Sequence, residues 1–169
     1  MTEPQPTTDA HPRSGSGDGW VEHGGRRYWG RFGAAGMLLR HRDDSGDEWF
    51  LLARRSHWVH GGNGQWAIPG GAIDEHEDPV AAALREYAEE IGHLPGGWAL
   101  RGIHTIHPAP GVWSYHTCCA DVMERRDYPM LRSSENDAAQ WFPRGELAEM
   151  DLFFPLRRAL PDLLAIYEI

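Results

Sequence analysis

Gly70-Gly71-Ala72-Ile73-Asp74-Glu75-His76-Glu77-Asp78-Pro79, continuing through Val80-Ala81-Ala82-Ala83-Leu84-Arg85-Glu86-Tyr87-Ala88-Glu89-Glu90-Ile91-Gly92-His93, is the most informative part of this chain. Asp78 offers a side-chain oxygen to the first free amides of a helix, and Pro79 suits a first helical position because its missing N–H costs nothing there. The pattern predicts a helix over Val80–Ile91. Leu84, Ala88 and Ile91 fall at i, i+4 and i+7 and mark a buried stripe. Glu86, Glu89 and Glu90 are spaced i, i+3 and i+4, which places three carboxylates on one face. Clustered carboxylates repel one another, so the arrangement makes sense around a cation. Mg²⁺ and Mn²⁺ take oxygen ligands and share their shell with water and phosphate. Gly70-Gly71 can adopt backbone angles closed to other residues and bring a main-chain carbonyl near such an ion. Taken singly, each piece has a blander reading, a solvated acidic face or an ordinary turn.

Outward from this segment, the 169 residues fit one domain, and a hydrophobic share of 41% can supply one core. No run of 18 apolar residues predicts a membrane span, and the N-terminus lacks the basic-then-apolar pattern of a secretory signal. The formal net charge of -9 argues against a nucleic-acid polymer as partner, since such binding rests on many Lys/Arg–phosphate contacts. It leaves room for a small phosphorylated substrate, because a bound divalent cation reverses the local field. The two cysteines are neighbours, Cys118 and Cys119; on a strand they point to opposite faces, which fits reduced packing thiols in a cytoplasmic protein.

Residues 1–18, rich in Pro, Thr, Ser and Gly, read as a disordered tail ahead of a domain over 19–169. Gly24-Gly25 predicts a turn between two short strands within Trp20–Trp29. Strands are predicted over Ala34–Arg40 and Trp49–Arg54, joined through the polar His41–Glu48 connection, then Gln65–Ile68, Ala99–His107, Ser114–Met123 and Trp141–Phe142. Ser56–Gly64 is a loop carrying His57, Trp58 and His60. Arg144–Met150 and Leu156–Tyr167 read as helical, the latter interrupted or restarted at Pro161. Strands mixed with few helices, without regular βαβ alternation, predict an α+β chain with a mixed sheet covered by helices.

The pieces of the central segment also occur together at fixed spacing. Gly71, Glu77, Arg85, Glu86, Glu89, Glu90 and Gly92 match all seven fixed positions of G-x5-E-x7-R-E-U-x-E-E-x-G-U, where U is a bulky aliphatic residue. With residue types each at roughly 5–7% usage, a chance match is below about one in a million. The segment therefore resembles the Nudix box. Tyr87 and His93 depart from the pattern, at packing positions; His93 could also cap the helix C-terminus. The approach Trp66-Ala67-Ile68-Pro69, the stretch Trp113-Ser114-Tyr115, and Trp141-Phe142-Pro143 leading into Gly145-Glu146-Leu147 extend the resemblance over residues 32 to 150.

The resemblance implies the Nudix fold, an α/β/α sandwich around a mixed sheet, and a metal-dependent hydrolase cleaving a diphosphate linkage by attack of water at phosphorus. It implies that Glu86, Glu89 and Glu90 hold Mg²⁺ or Mn²⁺ with the carbonyl of Gly70, that Arg85 orients the glutamates, and that Glu77 braces the loop. It also points to a further carboxylate before the last strand as ligand or base, for which Glu135 is the choice and Asp137 the rival. Glu89 or Glu90 is favoured over Glu135 as general base. Arg55 is the candidate phosphate contact, with Arg54 on the opposite face. Trp58, Trp113 and Tyr115 are candidate platforms for a base.

The expected substrate is a nucleoside triphosphate or another nucleoside diphosphate derivative, released as a monophosphate. One alternative is an ADP-ribose or nucleotide-sugar pyrophosphatase, with Pro108 as a weak pointer. A second is a non-catalytic nucleotide sensor, and a third is an isomerase of prenyl diphosphates. Association into a homodimer stays open.

Overall fold

The computed structural model describes residues 15–59 and 61–169. The tail reading for residues 1–14, and His60 of the loop, lie outside the described residues. A hairpin of β1 (Trp20–His23) and β2 (Arg26–Trp29) turns on Gly24 and Gly25, both at positive φ, as the glycine pair predicts. The main sheet contains β3 (Ala34–Arg42), β4 (Glu48–Arg55), β5 (Trp66–Ala67), β6 (Gly70–Ala72), β7 (Ala99–Ala109), β8 (Trp113–Asp121) and β9 (Asn136–Pro143). β3 runs parallel to β8 and the other pairings between these named strands are antiparallel, so the sheet is mixed.

The sheet forks. β3 and β4 pair only at one end, Arg40↔Phe50 to Arg42↔Glu48. At the other end β6 takes the free side of β3 (Ala34↔Ala72 to Gly36↔Gly70), and β5 takes the free side of β4. The chain thus enters α1 (Pro79–Glu90) from inside the fork, where the ends of β3 and β4 stand apart.

Helices cover both faces. On one, Tyr87 and Ile91 of α1 pack with Ala35, Met37, Leu39, Leu51 and Cys118. On the other, Leu156 and Leu163 of α2 (Phe154–Ile166) pack with Leu38, Phe50, Leu52 and Cys119. This is the predicted α/β/α sandwich, and the adjacent cysteines do divide between its two cores.

Several expectations need correction. The buried residues of α1 are Ala82, Ala83, Tyr87 and Glu90, with Ile91 buried at its C-cap, whereas Leu84 and Ala88 are only half-buried. Tyr87 goes fully inside because its hydroxyl finds Tyr128 at 2.8 Å, which removes the cost of burying a phenol. α2 runs through Pro161 without a break. Leu156 and Leu163 anchor it on either side, and Pro161 itself is exposed, so the carbonyl it leaves unpaired can face water. The Arg144–Met150 helix is a 3₁₀ turn over Arg144–Glu149, the Gln65–Ile68 strand shortens to two residues, and β9 starts five residues ahead of Trp141. Gly15–Asp18, assigned by composition to the tail, are tied to the main body, as described below.

Candidate active site

α1 begins as predicted: Asp78 accepts from the Ala81 amide at 2.9 Å, with Pro79 in the first turn. Its far end is held by the 128–136 segment, where the Arg132 and Ser133 amides both donate to the Glu90 carbonyl at 3.2 Å. The helix is therefore pinned at both ends with its acidic side toward the fork.

Arg85 organises that side. Its guanidinium grips Glu77 through two bonds, Nε to Oε1 and Nη2 to Oε2, both 2.9 Å. It also donates to the Ala72 carbonyl at 2.8 Å and to Glu86 Oε1 at 3.0 Å, and reaches Glu89 Oε2 at 3.4 Å. Glu77 in turn accepts the Asp74 amide at 3.0 Å, and the Arg85 guanidinium holds its carboxyl below the usual range. Glu77 pushes the Arg85 pKa upward, so the cation is permanent.

Glu86 lies over Gly71. A β-carbon at position 71 would meet the Glu86 carboxyl at 2.5 Å, and one at position 70 would meet the Ala35 carbonyl oxygen at 2.4 Å. Neither glycine has positive φ. Their service is close approach rather than the unusual backbone angles expected from the sequence. Gly71→Ala is predicted to displace the Glu86 carboxyl and lower kcat by about 10²-fold, the scale of a misplacement near 1 Å. Steady-state kinetics beside an unchanged circular-dichroism spectrum would check it. Gly92 does need its freedom, with φ +147 just past the helix.

Glu90 is only 5% exposed. Its Oε2 accepts from Asn136 Nδ2 at 3.0 Å, while Oε1 is buried and, among the described residues, has no hydrogen-bond partner. Burial first, then the charges of Glu86 and Glu135, push its pKa well above the carboxylate range. Burial pushes Glu86 up to about 7, with Glu89 and Glu135 adding to the effect and Arg85 opposing it. Metal-free, the cluster is electrostatically unfavourable when ionised, and a cation relieves that. An orphaned buried carboxylate oxygen beside two more carboxylates suits a hard divalent ion. Among the described residues no three acidic, His or Cys side chains already converge on one point, so water and phosphate would complete the shell.

The remaining candidates separate. Arg55, at the end of β4, donates from Nε to the Gly61 carbonyl at 2.9 Å and stacks over Phe153. Burial lowers its pKa, while Glu90, Glu135 and Tyr115 act on it in the opposite sense, so it shares the field of the cluster. Arg54 turns away, over Trp66 and onto Asp137 at 2.6 Å. Asp137 is thereby engaged elsewhere, which leaves Glu135, an exposed acid whose charge reaches both Glu86 and Glu90. Glu89 is exposed and turned toward Arg85.

Tyr115 is not an open platform. Its hydroxyl lies against Gly36, where a β-carbon would meet it at 2.5 Å, and burial raises its pKa. Trp113 stacks on Tyr28 of the hairpin at 5.0 Å. Trp58 stands 54% exposed in the loop after β4.

Sequence reasoning missed Asn136, which donates to Glu90, and Asp74, which faces Arg85. Asn136 was a neighbour of the chosen Glu135, and only the pairing of β9 with β4 aims its amide at Glu90.

The NUDIX domain family matches residues 30–163. The chain is 39% identical over 143 residues to "Putative 8-oxo-dGTP diphosphatase 3" of Mycobacterium tuberculosis, covering 82% of this chain and 64% of that protein. It is 31% identical over 155 residues to the "Nucleoside triphosphate pyrophosphatase/Nudix hydrolase fusion protein" of Bifidobacterium longum, covering 88% of this chain and 31% of that one. The chain thus spans under two thirds of the length of either relative. Among solved structures, the Nudix hydrolase RenU of M. smegmatis superposes with a TM-score of 0.73 at 32% identity, covering 89% of this chain and 96% of that one. The complete box, the forked mixed sheet and the acidic helix end that closes it, together with these matches, place the chain in the Nudix hydrolase family.

Proposed function

We propose that the chain is a divalent-cation-dependent pyrophosphohydrolase in which water attacks phosphorus of a nucleoside triphosphate and breaks the α–β phosphoanhydride bond, giving a nucleoside monophosphate and pyrophosphate. The observation that carries this reading is Glu90 Oε1, buried beside Glu86 with no hydrogen-bond partner among the described residues. An isolated buried carboxylate oxygen is costly, and a binding function accounts for it.

Glu86, Glu89 and Glu90, with the Gly70 carbonyl, would hold Mg²⁺ or Mn²⁺, and Glu135, whose charge reaches Glu86 and Glu90, would join them. A bound ion of this kind lowers the pKa of water and offsets charge on the diphosphate. Arg85, fixed by Glu77 and the Ala72 carbonyl, keeps Glu86 and Glu89 oriented. Arg55 meets a substrate phosphate, its charge sustained by Glu90 and Glu135. The attacking water gives its proton to a carboxylate oxygen of Glu89 or Glu90. The name of the mycobacterial relative supports a nucleoside triphosphate, including an oxidised one, as substrate.

The test is a panel of nucleoside triphosphates, 8-oxo-dGTP among them, with ADP-ribose and nucleotide sugars, incubated with Mg²⁺, with Mn²⁺ or with chelator. Expected is monophosphate release from a triphosphate in the presence of metal alone. Turnover of ADP-ribose in preference would assign the alternative substrate class. Binding of nucleotides without turnover of any compound would make the chain a sensor.

A further inference from the structure

Residues 15–19 lie ahead of the segment that matches the family, and they are built onto the box loop. The Gly17 amide donates to Asp74 Oδ1 at 2.8 Å, and the Glu75 amide donates to the Gly15 carbonyl at 2.8 Å. A β-carbon at Gly17 would stand 1.8 Å from the Ile73 carbonyl oxygen, so the two backbones touch. The segment is held from its other side as well. The Arg31 amide donates to the Gly17 carbonyl at 2.7 Å, the Arg31 guanidinium donates to the Ser16 carbonyl, and the Gly30 amide donates to the Gly19 carbonyl at 2.8 Å. Gly15–Gly19 is therefore a strap between the base of the β1–β2 hairpin and the loop Ile73–Glu75.

Asp74 receives the strap and passes its position on. Its other oxygen, Oδ2, lies 3.6 Å from Arg85 Nε, and its amide donates to Glu77 Oε2 at 3.0 Å. Arg85 and Glu77 are the pair that orients Glu86 and Glu89. One chain of contacts thus runs Gly17–Asp74–Arg85/Glu77–Glu86.

We propose that the Gly15–Gly19 strap is a positioning element for the cation site, acting through Gly17 and Asp74 on Arg85 and the box glutamates. The idea rests on the reading of those glutamates as cation ligands. Groups behind the ligands set ligand geometry, and their loss costs roughly 10–100-fold in metal affinity. Gly17→Ala must lift the strap from Ile73. Asp74→Ala removes the acceptor and the charge facing Arg85. Asp74→Ala already removes the strap contact as well as the charge facing Arg85, so adding Gly17→Ala to it should cost little more and the effects should not multiply.

The experiment uses the full chain and measures Mn²⁺ affinity by electron paramagnetic resonance of the free ion, together with kcat and KM at saturating metal and the thermal midpoint without metal. Gly17→Ala and Asp74→Ala are each expected to weaken Mn²⁺ binding by about 10-fold. The double variant should lose about the same, and Asp74→Asn, which keeps the acceptor for the Gly17 amide, should lose less than Asp74→Ala. An unchanged affinity in Gly17→Ala overturns the proposal, and so do losses that multiply in the double variant. Glu86→Gln and Glu90→Gln run alongside. If these leave Mn²⁺ binding intact, the cation reading itself fails. If they abolish it while Gly17→Ala is silent, the strap alone fails.

Discussion

Glu90→Gln is expected to lower kcat by about 10²–10⁴-fold, the range for losing a positioned proton acceptor, while the metal-free protein becomes no less stable. The two halves have one cause. Glu90 is 5% exposed, one of its oxygens has no hydrogen-bond partner among the described residues, and Glu86 and Glu135 act against its charge. Glutamine keeps an oxygen that can still accept from Asn136 Nδ2 and removes the ionisation that the fold resists. A site shaped for a ligand is destabilised without it, so the activity-killing variant should unfold at an equal or higher temperature.

Glu86 supplies the pH dependence that accompanies this. Its folded pKa, about 7, lies above the ordinary value of 4.5. Below the ordinary value both states are protonated and nothing is lost. As pH rises from there through 7 the unfolded chain ionises more readily, so metal-free stability falls, by on the order of 3 kcal/mol at most. Mg²⁺ or Mn²⁺ should raise the thermal midpoint more at pH 8 than at pH 5.5. Equal shifts at both pH values, or a Glu90→Gln enzyme with parental kcat, would remove the cation role from these carboxylates.

Arg40→Ala is expected to cost about 3–5 kcal/mol of folding stability, with kcat of the folded fraction unchanged. Arg40 is 4% exposed and sits at the end of β3 remote from the fork. It donates to Asp121 through two bonds of 2.7 and 2.9 Å, to Glu48 at 2.5 Å and to the Tyr167 carbonyl at 3.1 Å, and its guanidinium stacks over the Tyr167 ring. One side chain thereby joins β3, β4, β8 and the end of α2. Removing it leaves Asp121 with Arg101 at 3.6 Å and the Tyr167 carbonyl without this donor, while Glu48 keeps Arg144 at 2.7 Å and Arg42 at 3.2 Å. The poorly paired Asp121 therefore carries most of the loss, and the low end of that range is expected. Urea unfolding of Arg40→Ala against the parent gives the number directly. A loss under about 1 kcal/mol would mean the cluster behaves as a surface ion pair. Arg40→Met combined with Asp121→Asn should recover part of the loss, since the group that depended most on Arg40 is then neutral and Glu48 keeps Arg144.

The sequence by itself determined the elements with local causes. Asp78 and Pro79 mark where α1 starts, Gly24-Gly25 where the first hairpin turns, and the spacing of Glu86, Glu89 and Glu90 their common helix side. These depend on neighbours within a few residues, and the pattern from Gly71 to Gly92 identified the family before any long-range contact was known. The division of Cys118 and Cys119 between two cores followed from strand alternation, whereas Arg55 as a phosphate contact came from the family resemblance.

Tertiary structure decided the rest. That Asp137 is engaged away from the cluster depends on Arg54 of the adjacent strand, which holds it at 2.6 Å. Tyr87 enters the core because Tyr128, distant in sequence, accepts its hydroxyl proton. Pro161 stays inside α2 because burial on either side outweighs one lost backbone bond. Gly70 and Gly71 are required by what presses on them, the Ala35 backbone and the Glu86 carboxyl, and not by their own torsions. The strap at Gly15–Gly19 looked like tail because it contains almost nothing apolar. Its hold comes from backbone amides and carbonyls, which every sequence carries and whose partners only the folded chain reveals.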